Sequence, residues 1–179
     1  MFSACGVLAL NYLFMILSLV ALFNQDWYQC RKWDSTDVSD VNVIGDNYEA
    51  QTLFLVTGYQ YKSSAMAFNF GYTFRAAWIK NYVFVAFALG WTFMQFYITL
   101  APGELSFLFR VNCSNENVVR GVTEGPMPIK NHFNTTIMPT SFRWTLIAIM
   151  VSNTIAIMGY EYFIVNGVGK KIVKGKQEI

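Results

Sequence analysis

Four long apolar runs separated by polar stretches organise the chain. Phe2 to Phe23 contains no charge and is rich in Leu, Ala, Val, Ile and Met. Ala50 to Phe70 is interrupted only by Lys62. Asn81 to Pro102 is again free of charge and crowded with Phe, Val, Ala, Trp and Tyr, while Phe142 to Val165 holds one acid, Glu161, near its far end. Crossing roughly 30 Å of hydrocarbon at about 1.5 Å per residue takes about 20 mostly apolar residues, which each run supplies. The runs predict helices at 2–23, 50–70, 81–102 and 142–165, outer loops at 24–49 and 103–141, and a basic cytosolic tail at 170–179. The expected fold is an all-α membrane protein, a four-helix transmembrane bundle over residues 1–169 with two luminal or extracellular loops.

The first run has no basic lead-in and exceeds the usual apolar length of a signal peptide, so it reads as a retained helix. A chain that opens at hydrocarbon-grade sequence is what a piece of a longer protein would look like.

Composition narrows the class further. Of 179 residues, 54% are hydrophobic and only 13% charged, with a mean hydropathy of +0.33. A soluble domain carries about a quarter charged residues, so a water-exposed globule is excluded. Disorder requires low hydrophobicity and high net charge, and here the net is +2. No interleaved basic and aromatic patch points to nucleic acid. Lipid is the expected partner.

Charge distribution sets the orientation. Arg75, Lys80, Lys170, Lys171, Lys174 and Lys176 fall in two short segments beside helix ends, whereas Arg31, Lys32, Arg110, Arg120, Lys130 and Arg143 are spread over the opposite side. The positive-inside rule weights the dense, short segments, which places both termini in the cytosol. Two glycosylation sequons, Asn112-Cys113-Ser114 and Asn134-Thr135-Thr136, lie in the loop between the third and fourth helices, and this fits a luminal or extracellular loop. Cys30 and Cys113 occupy the two outer loops, where an oxidising lumen could bridge them, although two unpaired thiols would serve as well. Cys5 is expected to be a small buried apolar residue within the first helix.

Charges at bilayer depth mark function by default, so Lys62 and Glu161 stand out. Each also has an ordinary explanation, a side chain snorkelling to the interface or pairing across helices. Lys62 lies about 10 Å along its helix from the expected cytosolic end at Asn69. Asn11, Gln60, Gln95 and Asn153 need partners on other helices, since lipid offers none. Small residues four apart, at Ser63, Ala67 and Gly71, at Ala86 and Gly90, and at Ala148, Ser152 and Ala156, predict close helix packing.

Catalytic chemistry is not assembled. His132 has no neighbours at metal-ligand spacing, no glycine-rich phosphate cradle occurs, and no nucleophile has a base beside it. No catalytic, cofactor or metal residue is therefore expected.

Several segments resemble a known family. Tyr48-Glu49-Ala50-Gln51-Thr52-Leu53-Phe54 through Gly58-Tyr59-Gln60-Tyr61, then Tyr72-Thr73-Phe74-Arg75, resembles the eighth transmembrane helix and following turn of type-V P-type ATPases, closest to their polyamine-transporting branch. Asn81 to Tyr97-Ile98-Thr99-Leu100-Ala101-Pro102 is similar to the ninth helix and its exit, and Ser141-Phe142-Arg143-Trp144 through Gly159-Tyr160-Glu161-Tyr162 to the tenth. The resemblance implies the carboxy-terminal membrane region, the last four helices, of a transporter that couples ATP hydrolysis to export of polyamines or another cation from an endolysosomal or vacuolar lumen. It implies that ATP and Mg²⁺ belong to the parent protein, whose remaining helices and cytosolic domains are partners, since the Asp-Lys-Thr-Gly-Thr motif is absent here. The alternative is a freestanding four-helix scaffold of tetraspanin or claudin-like topology, but the Cys-Cys-Gly motif and paired loop cysteines of those families are missing.

Overall fold

The computed structural model describes residues 2–28, 48–69, 77–101 and 137–169, together with Leu105, Ser106, Phe109 and Val111. Cys30, Cys113, Asn112, Asn134 and the basic tail lie outside the described residues. The described residues are helical without strands: α1 spans Phe2–Phe23, α2 Tyr48–Phe68, α3 Tyr82–Leu100 and α4 Thr140–Gly159. A 3-10 turn at Trp78–Lys80 leads into α3, and α4 runs on as a π-helix over Tyr160–Gly169. The bounds of α1, α2 and α3 lie within about two residues of the runs read from the sequence, whereas the fourth helix changes coil at Tyr160 and continues past Val165 to Gly169.

Local chemistry sets the helix ends. The Asn81 side chain accepts the Phe84 N–H at 3.1 Å and so satisfies one of the free donors at the start of α3. The α3 helix closes with Ala101 N–H on Tyr97 O, and Pro102, which follows, lacks the N–H needed to continue. Pro139, with φ −55°, sets the entry to α4.

Cross-helix contacts fix the directions. Trp27 meets Tyr48 and Phe142 edge-on, with ring centroids 5.1 and 5.5 Å apart, whereas Ser3 reaches Glu161 at the other end. With Tyr59 against Phe96, Lys62 on Thr92 and Arg143 on Leu100, consecutive helices run antiparallel, and the Trp27–Tyr48–Phe142 end is called upper below. The main core fills the upper half, where Leu22, Leu55, Val56, Ile98, Phe142 and Leu146 pack together. A smaller cluster of Val7, Ala67 and Ile157, with Leu10 against it, closes the lower half.

Three helices are long and apolar enough to cross a membrane: α1 from Ser3, α3, and α4 with its continuation to Gly167. The α2 helix falls short of that standard because Glu49, Gln51, Gln60, Lys62, Ser63 and Ser64 interrupt its apolar surface. Yet α2 packs against all three other helices, and Gln51, Thr52, Gln60 and Ser63 are among its buried side chains.

Two expectations about small residues are corrected by this packing. Cys5 is exposed on the outside of α1, because the face of α1 that meets the other helices carries Val7 and Ser18 instead. Ser63 and Ala67 are fully buried at a helix contact, but Ala86, Gly90, Ala148 and Ser152 lie on exposed faces, and a Cβ at Gly90 would find open space. The tight crossings are at Gly6, against the Tyr160 ring, and at Gly58, against the Gln95 amide, where a Cβ would collide with the neighbour.

Candidate functional site

The polar side chains of the helix interior gather along α2. Near mid-height, Asn11 of α1 donates from Nδ2 to Ser64 Oγ at 2.9 Å, and Gln60 Nε2 donates to the Asn11 carbonyl at 2.9 Å. Asn153 of α4 donates to Asn11 Oδ1 at 3.3 Å, and the Ser63 and Thr154 hydroxyls lie 2.6 Å apart. Three helices are thus joined by side chains that lipid could not satisfy. Ser63 and Thr154 also lie within hydrogen-bond distance of the carbonyls four residues earlier, Tyr59 O and Met150 O, the usual outlet for a hydroxyl within a helix.

A second group joins α2 to α3. Trp91 Nε1 donates to Gly58 O at 2.9 Å, an approach that the missing glycine side chain allows. Lys62 Nζ donates to Thr92 Oγ1 at 2.9 Å and lies 3.7 Å from the Tyr59 ring centroid, a cation–π placement. Tyr59 in turn stacks on Phe96 at 5.7 Å. The lysine therefore points back along α2 toward Tyr59, as helix side chains do, and away from the near end of the helix at Phe68. Of the two ordinary readings of Lys62, a contact across helices rather than a snorkel toward Asn69 is the observed conformation.

Glu161 is fully buried at the lower end, where Ser3 Oγ bonds its Oε1 and Asn166 Nδ2 donates to its carbonyl at 3.0 Å. At the upper end the Arg143 guanidinium donates to Leu100 O and, at 2.8 Å, to Thr140 Oγ1, which ties the end of α3 to the start of α4. In the sequence Arg143 falls among the outer-side charges; in the structure it is buried within α4, 9% exposed. Tyr28 OH bonds Glu49 at the α1–α2 junction.

Five buried acceptors, Gln51 Oε1, Thr52 Oγ1, Gln95 Oε1, Asn153 Oδ1 and Asn166 Oδ1, have no donor in reach among the described residues. They spread along the helices and do not converge on one point. No group of three or more His, Cys, Asp or Glu able to hold a metal occurs among the described residues. Ser3, Thr92, Thr154 and the Gly6 and Gly58 crossings were not singled out by the sequence reading. A hydroxyl or glycine gives no signal until its opposite helix is known.

Chemically, the arrangement cross-links helices. Of its cations, Arg143 ties the end of α3 to the start of α4, and Lys62 rests on a hydroxyl and an aromatic face. Comparison with known protein families, with curated proteins and with solved structures finds no match to this chain.

Proposed function

We propose that the chain is the carboxy-terminal support bundle of a P-type ATPase that moves polyamines or another cation across an endolysosomal or vacuolar membrane. On this reading all four helices cross the bilayer, both termini are cytosolic and loops 24–49 and 103–141 are luminal. The observation that carries the reading is the bonding of Asn11, Gln60, Ser63, Asn153 and Thr154 to one another across three helices. Such side chains are committed to holding helices together, which suits a support better than a transport path. The same bonds let α2, less apolar than its neighbours, cross in their company. The type-V resemblance of the α2, α3 and α4 segments supplies the family, and ATP and Mg²⁺ act in the cytosolic domains of the parent protein.

Two experiments test this. Transcript sequencing upstream of the Met1 codon is expected to find an in-frame continuation encoding the Asp-Lys-Thr-Gly-Thr motif, and the full protein is expected to turn over ATP faster with polyamine. A stop codon directly upstream, or turnover indifferent to both polyamines and metal ions, would remove the transporter assignment. For the orientation, glycosidase is expected to shift the chain on a gel, and changing both Asn112 and Asn134 to Gln should abolish the shift. No shift in a eukaryotic host would reverse the loop assignment.

A further inference from the structure

Lys62 is a cation held away from both helix ends. Its Nζ is fixed at Thr92, which lies ten residues from Tyr82 and eight from Leu100, so about 12 Å of helix separates it from the nearer end of α3. Among the described residues its companions are a hydroxyl and the Tyr59 ring, both neutral. The described residues hold three carboxylates, and none is near: Asp26 and Glu49 belong to the upper end and Glu161 to the lower. The remaining acids of the chain fall outside the four helices, in the stretches 24–49 and 103–141 and at Glu178.

An ammonium at mid-depth without a counter-ion is costly, and the side chain is only partly covered by α2 and α3. A lipid phosphate is a poor candidate for that counter-ion, because headgroups begin roughly 15 Å from the bilayer midplane. A carboxylate carried on another helix can reach the same depth. Around Lys62 the surface is apolar and open, with Tyr61 72% and Leu89 66% exposed, so a helix can lie against it.

Resting on the membrane reading above, though not on the transporter family, we infer that the α2–α3 surface at Lys62 docks a transmembrane helix bearing an Asp or Glu at mid-depth. The pair forms within the membrane and orients the four helices against the partner.

The test uses the full 179-residue chain in phosphatidylcholine vesicles with leucine-rich transmembrane peptides carrying one central Glu, Gln or Lys, association being read by energy transfer. The Glu peptide is expected to bind about tenfold more tightly than the Gln peptide, equivalent to about 1.4 kcal/mol. Lys62→Arg should keep this preference, Lys62→Met should erase it, and Lys62→Glu should transfer it to the Lys peptide. Equal binding of the Glu and Gln peptides to the unaltered chain overturns the inference, as does a preference that survives in Lys62→Met. Displacement of the Glu peptide by phosphatidate would identify a lipid phosphate as the counter-ion and overturn it too. Flotation of the chain with the vesicles separates the two levels: a chain that stays behind removes the membrane reading itself, whereas one that floats without discriminating removes only the docking at Lys62.

Discussion

The first two helices invert the familiar relation between polarity and burial. The α1 helix is charge-free and apolar enough to cross a membrane, yet Leu8, Tyr12, Leu13, Ile16, Leu17, Val20 and Phe23 are exposed along it. The α2 helix is less apolar, yet it touches every other helix and buries Gln51, Thr52, Gln60 and Ser63. In water such an arrangement would be unstable. In hydrocarbon the polar groups are what the interior must hold, because lipid satisfies apolar side chains and leaves amides and hydroxyls unbonded. Polarity along a membrane helix thus marks the side facing other helices.

The largest expected contrast lies between two leucines. Leu55→Ala, at a fully buried α2 position, should cost about 2–5 kcal/mol, measured by SDS-driven unfolding in mixed micelles. Leu13→Ala, at an α1 position 58% exposed, should stay within about 0.5 kcal/mol. Equal losses would erase the difference between the two helices. Next come the glycines: Gly58→Leu should cost about 1–3 kcal/mol by overpacking against Gln95, whereas Gly90→Leu on the open face of α3 should be nearly silent. A smaller effect is expected at the amides. Gln60→Leu should cost about 0.6 kcal/mol and no more than about 1.7, and a cycle with Ser64→Ala should separate the two bonds made to Asn11. The smallest effect is at Cys5, where replacement by Leu on the exposed side of α1 should leave the unfolding midpoint unchanged within error.

The helices were legible because their signal is local. Uninterrupted apolar runs bounded by Asn24, Asn81 and Pro139 locate α1, α3 and α4 without any knowledge of packing. The need of Asn11, Gln60 and Asn153 for partners was legible too, from hydrocarbon chemistry alone. Which partners they take was not. Spacing of small residues singled out both Ser63 with Ala67, which are buried, and Ala86 with Gly90, which face outward, because four-residue spacing is equally compatible with either face of a helix. Gly6 and Gly58 owe their importance to Tyr160 and Gln95, residues remote in sequence. Lys62 was legible as a charge at depth but not in its direction, which depends on Thr92 across the α2–α3 contact.

The bonds from Asn11 to α2 have a consequence for biogenesis on the four-crossing proposal. A ribosome delivers α1 to the translocon before α2 emerges, so the carbonyl and amide of Asn11 are already in the bilayer when Gln60 and Ser64 arrive. The first helix thereby acts as an insertion chaperone for the second, which enters lipid against bonding partners already in place.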